Sequence, residues 1–173
     1  MSREADVSPA PVLLGLLLSQ PRHGYELYQE FGRELGRVWR IGLSKLYAQL
    51  KQLEADGLVT ARAELQATRP LRKIYCLTSA GQEAFLDWLH QPSRHIRDIR
   101  LEFLARLYFF RRLALPGLEQ LVAAQKAVCQ AQVEALAGST VETDDAFGRL
   151  VIEFRQGQLR AIIRWLDRCL ETL

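Results

Sequence analysis

The sequence predicts a mostly α chain in two parts: helices interrupted by one small β-hairpin up to residue 91, and helices alone after it. Three observations carry that expectation. Apolar residues recur at intervals of three and four through most of the 173 positions. β-forming residues gather mainly in two short runs, Leu58–Leu65 and Arg72–Thr78, on either side of a short loop. Prolines and glycines fall between the periodic blocks and punctuate them. With 49% apolar and 25% charged residues, the composition is that of a folded domain or two small ones, which excludes a disordered chain.

The elements follow in order. Pro9 to Gln20 is an apolar helix that Pro21 ends, and a second helix opens at His23-Gly24 and stops before Gly36. Its Leu27, Tyr28, Phe31 and Leu35 give it one apolar face. Val38-Trp39-Arg40-Ile41 is rich in β-formers and predicts one brief strand. Gly42 opens a third helix, Leu43 to Asp56, with Gly57 placed as its C′ residue. The two β-runs then make a hairpin around a loop of about six residues. A fourth helix begins near Thr78 or Ser79, with Gln82 spaced for a capping box on Ser79, and runs to the Gln91-Pro92 break. Helices are expected over 95–114, 118–137 and 143–172, separated by Pro116-Gly117 and by Gly138-Ser139-Thr140. The division predicted is a domain 1–91 and a domain 92–173.

Three cysteines without CxxC spacing argue against a disulfide scaffold or a zinc site and for a reducing compartment. The apolar run Val12–Leu18 is shorter than the roughly 20 residues a bilayer requires, so no membrane association and a cytoplasmic protein are expected. His23, His90 and His95 make no metal pattern, and no phosphate loop, G-x-S-x-G or metal spacing occurs. Neither an enzyme nor a cofactor is expected.

A net charge of +3 is too small to imply a polyanion partner, so the placement of charge decides. On a wheel of about 100° per residue, the third helix sets Leu43, Leu46, Tyr47, Leu50 and Leu53 on one side. Ser44, Lys45, Ala48, Lys51, Gln52 and Ala55 take the other, a small, basic, amide-bearing face without an acid. Lys and Gln suit phosphates and purine edges, and Ala48 lets a helix lie close in a groove. The alternative is an ordinary solvated face. Residues 37–73 carry eight basic side chains against three acidic ones, a local net of +5. Arg69, Arg72 and Lys73 sit at the hairpin tip, where they would touch backbone or minor groove, unless the tip is merely solvated. A helix-turn-helix followed by a basic hairpin is the winged-helix arrangement, and duplex DNA is its expected partner.

Three strings make the chain familiar: Leu14-Gly15-Leu16-Leu17-Leu18 with Pro21-Arg22-His23-Gly24-Tyr25-Glu26-Leu27, then Ser44 to Glu54 with Asp56-Gly57-Leu58-Val59, then Lys73-Ile74-Tyr75-Cys76-Leu77-Thr78 with Gly81. Together they resemble the PadR family of transcriptional regulators over residues 9–90, although Ile74 and Cys76 stand where many members carry a polar or aromatic residue. The resemblance implies a winged-helix domain, a helical dimerisation domain of the larger size class, and repressor function. It also suggests Tyr25 as a phosphate contact, for which a helix N-terminus is suited. A core tyrosine is the alternative.

The helix over 95–114 is apolar nearly all round, and the last helix has a stripe of its own. A second subunit would bury these surfaces, so a homodimer is expected through Ile99, Phe103, Leu107, Phe110, Phe147, Phe154, Ile162 and Trp165. Two-fold symmetry in turn implies a palindromic operator. Phe103, Tyr108, Phe109 and Phe110 either line a pocket for a small aromatic ligand, as the family's effector responses suggest, or are plain core. A winged-helix module that binds protein rather than specific DNA is the competing function.

Overall fold

The computed structural model describes residues 7–64, 72–139 and 145–172. Helix α1 (Ala10–Leu17) is apolar on every side, and such a helix is stable only inside a core. Its Val12, Leu13, Leu14, Leu16 and Leu17 are all buried. Around it pack α2 (Gly24–Leu35), α3 (Leu43–Ala55) and α4 (Ser79–Leu89), which contribute Leu27, Phe31, Leu46, Leu50 and Phe85.

Strands β1 (Arg22–His23), β2 (Val59–Glu64) and β3 (Arg72–Leu77) form an antiparallel sheet in the order β1-β3-β2. Val59 faces Leu77 at the base of the hairpin and Glu64 faces Arg72 toward its tip. The fold is a winged helix. The brief strand expected at Val38–Ile41 is absent. Those residues finish a turn instead: Val38 and Trp39 both donate their N–H to the Leu35 carbonyl, at 2.8 and 2.7 Å. Trp39 then meets the Phe31 ring edge-on at 5.9 Å. The third strand comes from Arg22–His23, pairing with Tyr75 and Ile74. Arg22 is held there by an ion pair to the buried Glu30 at 2.9 Å.

Helix α4 is capped one residue earlier than the Ser79 box predicts. The Thr78 hydroxyl accepts from the Gly81 N–H at 3.0 Å and donates toward the Gly57 and Leu58 carbonyls. The single helix expected over 95–114 is three pieces: α5 (Ile96–Asp98), a π-helical turn Ile99–Phe103, and α6 (Leu104–Leu113). Ala114 ends α6 in the left-handed region, φ +48°.

Two compact units result. The first runs through Leu89 and takes in Leu104–Phe109. Here Phe109 packs edge-on against Phe85 at 5.1 Å. The buried Arg106 donates to the Trp88 carbonyl at 2.9 Å and lies 4.6 Å from that indole's centre. The second unit is His90–Phe103 with the chain from Phe110, built on α7 (Leu118–Ser139) and α8 (Ala146–Thr172). In it Gln125, fully buried, accepts from the Ser93 N–H at 2.7 Å and donates to the Ser93 carbonyl at 2.9 Å. Lys126 ion-pairs with Asp167, and Phe103 meets Trp165 edge-on at 6.0 Å. No helix among the described residues is long and apolar enough to cross a membrane.

Candidate nucleic-acid interface

Helix α3 builds the centre of the site. Leu46, Leu50 and Leu53 are buried, which orients the opposite face outward. Ser44, Ala48, Lys51 and Gln52 are exposed on that face and Lys45 is half-buried. The helix stops in a Schellman motif: the Leu58 N–H reaches the Leu53 carbonyl (2.9 Å) and the Gly57 N–H the Glu54 carbonyl (3.2 Å). Gly57 at φ +72° is what lets the chain turn there into β2.

Beside this face lies an open groove of about 750 Å³ between the N-terminus of α2, the flank of α3 and β3. It is lined by Tyr25 and Glu26 of α2, Tyr47, Lys51 and Glu54 of α3, and Lys73 and Tyr75 of β3. Tyr25 is 54% exposed, so the core-tyrosine alternative does not describe it. Glu26 closes the first turn of α2 by accepting the His23 N–H at 3.0 Å. Tyr47 lies against the start of the same helix. A Cβ on Gly24 would stand 2.6 Å from its ring, so only glycine admits that approach. Across the groove, Lys73 reaches both Glu54 oxygens, at 3.0 and 3.2 Å, and this bond holds the ammonium pKa above its usual value. Burial raises the Tyr75 phenol likewise.

Two features of this flank differ from the wheel reading. Tyr47, set on the inner side by sequence, is 42% exposed, and Leu43 is exposed as well. Glu54 gives the face an acidic border, whereas no acid was expected there. The signal was available: Tyr47, Lys51 and Glu54 are spaced i, i+4, i+7 and share a flank roughly 90° from the buried leucine stripe. Gln52 donates to Asp56 at 2.8 Å. Arg69 lies outside the described residues, and Arg72 is described only as backbone in β3.

The eight residues expected at a subunit contact separate into three groups. Ile99, Phe103, Leu107 and Phe110 are buried within the single chain, because the irregular 96–113 segment turns its apolar sides into core. Ile162 and Trp165 are half-buried. Phe147 and Phe154 are 72% and 65% exposed and, with Leu150 and Val151, form one continuous row on the first half of α8. Asp145 caps that half, accepting the Phe147 and Gly148 N–H groups at 3.1 and 2.9 Å.

The family profile described as transcriptional regulator PadR-like matches residues 13–87, and one described as virulence activator alpha C-term matches 99–173. A curated protein, the negative transcriptional regulator PadR of Bacillus subtilis (strain 168), is 34% identical over 129 residues, covering 73% of this chain and 70% of that protein. The crystal structure of Bacillus subtilis PadR in complex with operator DNA aligns at 27% identity, over 94% of this chain and 95% of that one, with a TM-score of 0.48. That of Bacillus subtilis PadR with p-coumaric acid aligns at 26%, over 95% and 98%, with a TM-score of 0.45.

Proposed function

Because the chain belongs to the PadR-like family of transcriptional regulators, we propose that it is a homodimeric repressor that reads a palindromic operator with α3 and the wing. The observation that carries this reading is the outward face of α3. Ser44, Ala48, Lys51 and Gln52 stand exposed side by side, with Lys45 at the margin, on a helix whose leucines face inward. Ala48 leaves room for a base pair, while Lys45 and Gln52 offer donors to purine edges. Tyr25, Lys51 and Lys73 take phosphates beside them, and Arg69 and Arg72 extend the contact along the wing. Repression follows the name of the 34% identical relative, a negative regulator. Members of this family act on transcription rather than as enzymes.

Self-association rests on the α8 row of Phe147, Leu150, Val151 and Phe154. Full burial of such a side chain is worth roughly 1.5–3 kcal/mol, and covering the exposed part of this row on both copies would offset much of the cost of association. Ile162 and Trp165 continue the contact along the same helix. A small aromatic effector completes the reading. Phe103, Phe109 and Phe110 are packed core in this conformation, so the ligand acts by stabilising a second one, and a tenfold release of operator needs about 1.4 kcal/mol of differential affinity.

The test is binding of the full chain to duplexes enriched from a random pool, followed by anisotropy across salt. Specific, salt-dependent binding is expected, weakened by p-coumaric acid or a related phenolic acid. Binding that is absent at every salt concentration would leave the protein-interaction module in its place.

A further inference from the structure

We propose that Glu54 restrains the DNA-binding surface by holding Lys73 in reserve, so that a backbone phosphate must take the Lys73 ammonium from Glu54 before the groove is fully used. This rests on the reading of α3 and the wing as that surface.

The geometry is specific. Lys73 of β3 spans the groove to both carboxylate oxygens of Glu54 on α3, at 3.0 and 3.2 Å. The groove's other carboxylate, Glu26, is occupied at the start of α2 by the His23 N–H. Glu54 is therefore the acid that faces Lys73, among a lining that also holds Lys51, Tyr25 and Tyr47. The two side chains are 56% and 34% exposed. Water screens the pair, and a phosphate can displace it. The raised ammonium pKa agrees with a bond made chiefly to Glu54.

The consequence for DNA is arithmetic. While paired, Lys73 and Glu54 present no net charge. Once Lys73 turns to a phosphate, the Glu54 carboxylate remains beside the polyanion. Removing that carboxylate adds one effective cation, which steepens the salt dependence of log K by up to about 0.9.

Glu54→Gln in the full chain is therefore expected to bind its duplex about three- to tenfold more tightly at low salt, with roughly threefold of that gain lost between 50 and 200 mM. In a Lys73→Gln background the same substitution should give a clearly smaller gain, because only the repulsion between Glu54 and the phosphates is then removed and no ammonium is freed. Unchanged or weaker binding by Glu54→Gln would overturn the proposal, because the pair would then be a strut positioning the wing. An equal gain without Lys73 would overturn it too, since Glu54 would act as a bare negative charge. If thermal melting shows Glu54→Gln poorly folded, single variants decide: Lys73→Gln must cost less affinity than Lys51→Gln, and the reverse order sinks the idea. Failure of the unaltered chain to bind any duplex overturns the underlying reading instead.

Discussion

A single added carbon at Gly24 tests the groove at the scale of one residue. Its Cβ would stand 2.6 Å from the Tyr47 ring, so Gly24→Ala must push that ring off the start of α2. Displacing a fitted ring costs about 1–3 kcal/mol, to be read in chemical denaturation, and duplex binding should fall with it. Ala114 offers the opposite case. It holds φ +48° at the end of α6 without the freedom of glycine, and Ala114→Gly should raise stability by about 0.5–1 kcal/mol. Titration makes the third prediction. Burial raises the thiols of Cys129 and Cys169 above their ordinary 9.0. The unfolded chain ionises them first as pH climbs, so their contribution is intact below about 9 and lost above it. Melting temperatures should hold from pH 7 to 8.5 and fall beyond, and a Cys129→Ala, Cys169→Ala variant should fall less steeply.

At the scale of elements, the roles proposed for α3 and α8 can be separated by substitution. Gln52→Ala should cost about 1–3 kcal/mol on the preferred duplex alone, if its amide reads a base edge. Lys51→Ala should weaken all duplexes and lower the salt slope by about one. Phe147→Ser with Phe154→Ser should shift sedimentation toward the monomer, because both rings are exposed on the single chain, and should lower the melting temperature only by the contribution of association, a loss that grows with protein concentration. Much of this was legible in the sequence. Helix α3 announces itself by its leucine spacing and by Gly57, and the hairpin by its change of period. The rest depended on distant partners. Arg22–His23 is too short for any periodicity and is a strand only because β3 runs beside it. Val38–Ile41 has β-forming residues but no neighbouring edge, and its amides turn back on α2. The π-helical turn at Ile99–Phe103 likewise has no local signal, so a smooth helix was expected where three pieces stand. The acidic border of the site shows only when Glu54 is placed on one helix flank with Tyr47 and Lys51, since a sum of charges over residues 37–73 hides its position.

For the molecule as a whole, the first unit is not a single stretch of chain. Phe109 fills the core beside Phe85 and over Gly15, so cutting after residue 91 removes an aromatic plug from the winged helix. A fragment 1–91 should be less stable than a fragment 1–113 by about 3–5 kcal/mol in urea, the usual cost of emptying a buried Phe site. Phe109→Ala in the full chain should lose a similar amount. That returning segment also bears on how such a protein can be reshuffled. An exchange that grafts a foreign C-terminal half onto this reader at the Pro92 joint would import foreign residues into the reader's own interior. Productive hybrids must keep Leu104–Phe109 with the reader, which places the workable crossover point past residue 109 rather than at the visible break in the sequence.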